Sequence, residues 1–117
     1  MSGLNWIKVA DGVHEFVLGP NNIGIIEADG KRMCIGRHGE KWVAFALKCP
    51  HAGGIMADGF FDALGNVVCP LHRYKFNPEN GRNTSGEGYY LRTWPVEIRD
   101  TGVFIGMKPG FFSSLFQ

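Results

Sequence analysis

Apolar residues along this 117-residue chain come in short runs, some alternating with polar residues and some saturated, and turn residues cut between them every few positions. Seventeen glycines and six prolines leave residues 40–49 as the longest stretch free of both. No helix of useful length fits between such breaks, so the pattern predicts an all-β chain. Strands are expected at 7–9, 13–18, 23–28, 32–37, 41–47, 67–69, 75–77, 89–92, 95–99 and 103–107. Turn dipeptides such as Asp29-Gly30, His38-Gly39, Gly65-Asn66 and Asn80-Gly81 separate them. Around Trp94, Val96 and Ile98, alternation with Glu97 and Arg99 predicts one buried and one wet face. Many short strands joined by tight turns predict a small sandwich or barrel of antiparallel sheets.

The length suits one domain spanning residues 1–117, with no repeat, linker or second block of composition. A net charge of +1 and the absence of a basic run argue against nucleic acid as a partner. No apolar run approaches the roughly 20 residues of a membrane span, and the first residues do not read as a secretory signal. The apolar tail around Phe111, Phe112, Leu115 and Phe116 is expected to pack on the domain or on a partner subunit. Trp6, Trp42 and Trp94 read as core anchors, and His14 and His38 as surface residues. Cys34, set between Met33 and Ile35, reads as an inert core thiol.

The chemistry is concentrated in two boxes. Cys49-Pro50-His51 is followed, after residues 52–68, by Cys69-Pro70-Leu71-His72. Each box offers one thiolate and one imidazole, and each opens where a predicted strand ends, so two loops on a rigid scaffold carry four donors. Gly53 and Gly54 follow His51, where a loop around a bulky group must turn sharply. Two thiolates and two imidazoles satisfy tetrahedral zinc as well as iron. Zinc fingers, however, pair their cysteines and then their histidines, with the second pair on a helix. With two of three cysteines in the boxes, a disulfide framework is excluded, which fits a reducing, cytoplasmic setting.

Mixed Cys/His boxes in this order resemble the ligand boxes of the Rieske [2Fe-2S] proteins, in which two histidines replace two cysteines on one iron. The likeness extends over residues 42–76. It implies small antiparallel sheets with a cluster-binding subdomain inserted at about 47–77. It also implies that Cys49 and Cys69 bind the inner iron, and His51 and His72 the outer iron near the surface. Imidazoles in place of thiolates leave the oxidised cluster formally neutral and easier to reduce. Metal binding acidifies the remaining ring N–H, so a potential that falls at alkaline pH is expected.

Within the family, respiratory members carry a disulfide at the positions of Gly54 and Leu71, and hydroxyl donors at those of Tyr74 and Phe76. The absence of that bridge and of a hydroxyl at Phe76 implies the ferredoxin-type branch, with a potential of roughly −150 mV. Ferredoxin-type members usually place glycine after the last histidine. Arg73 stands there, and its side chain either crowds the cluster face or forces another loop path. Together with Lys48 and Lys75 it could form a basic rim for an acidic redox partner.

The resemblance implies a soluble one-electron carrier taking electrons from a reductase to an oxygenase-type acceptor. Rieske oxygenases add a mononuclear iron in a larger domain for which this chain has no residues, so an electron-transfer component is expected rather than the catalyst. Two alternatives stay open: the small subunit of an assimilatory nitrite reductase, and a zinc-stabilised interaction module. No nucleophile triad, phosphate loop or paired-carboxylate site accompanies the boxes.

Overall fold

Residues 33–36 are all buried, although neighbouring side chains on a strand point to opposite faces. A strand saturated in this way must have a covered sheet on both sides. The computed structural model describes residues 3–51 and 53–109, and it puts that strand at the centre of three antiparallel sheets. The middle sheet orders β2 (Ile23–Ala28), β3 (Lys31–His38), β4 (Lys41–Ala46) and β8 (Thr93–Trp94) as neighbours. A second sheet pairs β1 (Asn5–Ala10) with β10 (Gly102–Met107), and β10 with β9 (Val96–Arg99). A third, the smallest, runs β5 (Phe60–Phe61), β6 (Val67–Val68), β7 (Lys75–Phe76).

The two faces of the middle sheet build two cores. Met33, Ile35, Ala44 and Trp94 face the second sheet and meet Ile105, with Ile7 and Val9 packed against them. Cys34, Val43 and Phe45 face the third sheet and meet Val67, Phe76, Met56 and Leu91. Cys49 and Cys69 belong to this second core. Cys34 is fully buried, and desolvation followed by the charge of Asp58 pushes its thiol up to about 12, so it stays protonated as an inert core residue.

Several expectations are corrected. Residues 13–18 form no strand: Val13–Glu15 is a 3₁₀ turn, with the Glu15 carboxylate accepting from Asp11 N–H at 2.8 Å. Residues 89–92 are also not a strand. Leu91 N–H reaches the Gly81 carbonyl at 3.0 Å and Arg92 O accepts from Ala46, so their backbone groups are committed elsewhere. The strand begins after them, at Thr93, and the two-residue β5 was not expected. Ile98 is 55% exposed because β9 is an edge strand, while Arg99 on the face expected to be wet lies 4.3 Å from the Phe104 ring. Of the tryptophans only Trp94 is buried; Trp6 and Trp42 are half-buried at sheet faces. His14 and His38 are exposed. The apolar tail lies outside the described residues.

Candidate metal centre

Each Cys/His box closes a hairpin. Lys48 and Ile55 bridge across residues 49–54, and Val68 pairs with Lys75 across residues 69–74. Inside each, the first residue's N–H donates to the sixth residue's carbonyl: Cys49 to Gly54 at 2.7 Å, Cys69 to Tyr74 at 2.9 Å. The fifth residue's N–H donates back to the cysteine carbonyl, from Gly53 and from Arg73, at 3.0 Å in both. To do so the fifth residue turns left-handed, with φ 70° at Gly53 and 59° at Arg73. That backbone is free for glycine and strained for arginine. Arg73 therefore keeps the loop path that glycine would take, and its side chain is exposed.

The donors sort by depth. Cys49 is 3% exposed and Cys69 0%, whereas His51 is half-buried and His72 exposed. His72 Nδ1 stands 3.4 Å from His51 Nδ1 and 3.3 Å from His51 Nε2, and the rings meet edge-on. Two nitrogens on one tetrahedral metal, with bonds of about 2.1 Å, stand roughly 3.4 Å apart, so these imidazoles sit at the spacing of a shared metal. Among the described residues no three His, Cys, Asp or Glu side chains are grouped for a single ion. The arrangement is a sulfur pair inside and a nitrogen pair at the surface.

Gly54 lies at the join of the loops. A Cβ built there meets Leu71 Cγ at 2.9 Å and Cys69 Sγ at 3.1 Å, so Leu71 packs over Gly54 where the respiratory pattern places its bridge. The half-buried Tyr74 ring lies against His51, with centroids 4.1 Å apart and planes tilted by 33°. Desolvation, then the charges of Glu87, Tyr89 and Cys49, hold its phenol above the usual value and keep it protonated.

A third segment, which the sequence reading missed, completes the surround. Tyr89 lies 5.5 Å from His51 and stacks on Tyr74 at 5.8 Å. Its loop is pinned to β7, because Lys75 N–H donates to Ser85 Oγ at 2.9 Å and Thr84 N–H to the Lys75 carbonyl at 2.8 Å. Hydrogen bonds from Ser85 and, against some desolvation, from Asn83 hold the Glu87 carboxyl below its usual range, with His51 contributing. The paired tyrosines after a glycine-rich stretch were the available signal. The expected basic rim divides: Lys75 pairs with Asp62 at 3.7 Å, and Lys48 turns to another group of cations.

A family model described as the Rieske [2Fe-2S] domain matches residues 5–94. The ferredoxin of carbazole 1,9a-dioxygenase from Nocardioides aromaticivorans IC177 is 23% identical over 90% of this chain and 99% of its own, with a TM-score of 0.71. The structure described as a complex of reduced oxygenase and oxidized ferredoxin in carbazole 1,9a-dioxygenase matches at 23% identity over 91% of this chain and 96% of that one, with a TM-score of 0.70. A protein described as an NADH-dependent nitrite reductase small subunit from Mycobacterium tuberculosis matches at 18% identity, over 92% and 98% of the two chains, with a TM-score of 0.75. At these identities the likeness is one of fold. No curated protein sequence matches the chain.

Proposed function

We propose that this chain, which belongs to the Rieske [2Fe-2S] domain family, is a soluble, cytoplasmic one-electron carrier that serves a partner oxidoreductase. The observation that carries this is the sorting of donors by depth: two buried thiols, and two imidazoles with ring nitrogens 3.3–3.4 Å apart at the surface. The donor set fits the family's group. Cys49 and Cys69 would hold the inner iron and His51 and His72 the outer one, with the whole chain as one domain and residues 47–77 as its cluster-binding part. When bound, the cluster supplies reversible storage of one electron.

The remaining work falls to this chain's own side chains. Phe45, Phe76 and Met56 exclude water from the thiol side. Tyr74 and Tyr89 pack against the His51 ring. His72 keeps an exposed edge toward solvent, where a partner can approach. Among the described residues, no helix is long and apolar enough to cross a membrane.

A single zinc would require all four donors around one ion, which a buried sulfur pair and a surface nitrogen pair do not favour. For the partner, the ferredoxin structure in complex with reduced oxygenase supports an oxygenase-type acceptor fed by a reductase. The nitrite reductase small-subunit fold, with its TM-score of 0.75, supports the second reading, in which the chain stays bound to a catalytic reductase. Purified protein is expected to contain iron and acid-labile sulfide and to give a rhombic electron paramagnetic resonance signal on reduction. Cys69→Ser should abolish both. Colourless protein that binds zinc stoichiometrically, even after reconstitution with iron and sulfide, defeats the proposal. Migration as a free chain in native lysate separates the first reading from the second.

A further inference from the structure

Lys31 and Arg32 at the start of β3, Lys48 just before Cys49, and Arg92 just before β8 surround a cavity of about 290 Å³ whose apolar lining includes Trp94 and Leu47. No acidic residue lines it. Among the described residues, ion pairs engage Lys8, Lys41, Lys75 and Arg99, and none engages these four cations. Glu27 faces Arg32 across β2 and β3 but stands outside the cavity. Since the chain's net charge is only +1, the concentration of positive charge is local. Lys31 Nζ lies 5.9 Å and Arg92 Cζ 5.3 Å from the centre of the Trp94 ring, so the indole orients both cations at the cavity edge.

We infer that this cavity is a docking site for an acidic segment of the partner protein, with carboxylates flanking one apolar side chain. All four cations are exposed, on long flexible stems. A site for a compact anion instead converges donors, backbone N–H groups among them, on one point. Cations spread around an apolar floor match carboxylates spaced along a chain whose apolar residue reaches Trp94. The position also suits a redox partner. Leu47 and Lys48 lead directly into Cys49, and Arg92 ends the segment whose Tyr89 lies 5.5 Å from His51. A partner seated here is steered by charge to the loops that present the imidazole edge. The inference rests on the electron-carrier reading, because it names the chemistry of that reading's partner.

The test is calorimetric titration of the iron-loaded full chain with a synthetic peptide in which glutamates flank a single leucine, at low and at physiological salt. The peptide is expected to bind and to weaken steeply as salt screens the cations. A triple Lys31→Gln, Arg32→Gln, Arg92→Gln variant should lose about tenfold or more in affinity. A control triple at Lys8, Arg37 and Lys41 should lose little. The visible spectrum of the cluster checks each variant's fold, and Arg92→Gln alone carries the test if the triple loses it. No binding, equal loss in the control, or displacement by stoichiometric inorganic phosphate overturns the inference. Wild-type protein without a cluster spectrum overturns the electron-carrier reading instead, so the two failures are distinct.

Discussion

Residues 49–54 and 69–74 are closed by the same two hydrogen bonds and turn through the same left-handed fifth residue, yet the side chains on the two loops share little beyond Cys-Pro. The first loop is lean after its histidine: Gly53 turns it and Gly54 leaves room for Leu71 and Cys69. The second carries Arg73 at the strained position and Tyr74 at the sixth. The histidine stands third in one loop and fourth in the other, and their environments differ accordingly. His51 lies against the Tyr74 ring, with Tyr89 5.5 Å away, while His72 is exposed. A common backbone thus fixes where the cysteines sit, and side chains make the two imidazoles unequal.

The sharpest way to test that inequality is to convert each histidine in turn. His72→Cys should retain a cluster and drop its potential by about 100 mV or more, part of the way from roughly −150 mV toward the roughly −400 mV of all-cysteine clusters, because one added thiolate opposes the extra electron. His51→Cys should produce the same direction of shift with poorer iron occupancy, since it also leaves Tyr74 and Tyr89 without the ring they pack on. Redox titration and iron analysis read both. An unchanged potential in His72→Cys means that residue is not a ligand.

Next in size is the contact between the loops. Gly54→Ala pushes a methyl group against Leu71 and Cys69 Sγ, at 2.9 and 3.1 Å before relaxation. Overpacking of this kind costs about 1–3 kcal/mol, read as a lower midpoint in denaturant and a lower iron content. Leu71 is exposed and can yield, whereas the Cys69 sulfur is fully buried and, on the proposed reading, would be held by the cluster. Adding Leu71→Ala should therefore recover only the leucine's share, and full recovery would mean that the sulfur is free to move.

How far the chain could be read in advance follows the same division between local and distant. Each box is contiguous, so its residue order announces its chemistry, and β2 was predicted with its observed bounds because Ile23–Ala28 pairs with a sequence neighbour. β8 is two residues long and pairs with Ala44 and Phe45 from far along the chain, and β5 is also two residues long, so neither has a period to detect. The His51–Tyr74–Tyr89 stack depends on a loop tied down by Asn83, Thr84 and Ser85 against Lys75, which no local pattern states. Arg73 was a visible departure from glycine, but only the backbone reveals that it pays strain instead of changing the path.

Exchange of the fifth residues isolates that strain. Nothing lies within 4 Å of a Cβ built on Gly53, so Gly53→Arg is tested by its φ of 70° alone. It should lose about 1 kcal/mol, the left-handed penalty less the entropy gained by constraining the unfolded chain. Arg73→Gly should gain up to about 1 kcal/mol by the reverse balance. Thermal or denaturant unfolding of the two variants reads the difference, and equal effects of one sign would mean that the loops do not share a frame.

The smallest effect concerns a brace that the described residues supply to the second loop. Asp62 accepts from Leu64 and Asn66 N–H at 3.0 and 2.9 Å and from the Asn66 amide at 3.2 Å, and it pairs with Lys75, the residue that closes residues 69–74. Desolvation opposes its ionisation, but the hydrogen bonds from Asn66 and Leu64, and then Lys75, outweigh it and hold the carboxyl below its usual range. A folded-state value below the unfolded one gives stability that is complete above about pH 4 and is lost as the pH falls through the folded value. Asp62→Asn keeps the oxygen that accepts from the Leu64 and Asn66 N–H groups but loses the charge and the second acceptor, which served the Asn66 amide and Lys75, so it should cost about 1 kcal/mol at neutral pH. The deficit should shrink as the wild type itself becomes protonated, so that the two stability curves converge in acid. Curves that stay parallel down to pH 2 would mean that the Asp62 charge does no bracing of the second loop.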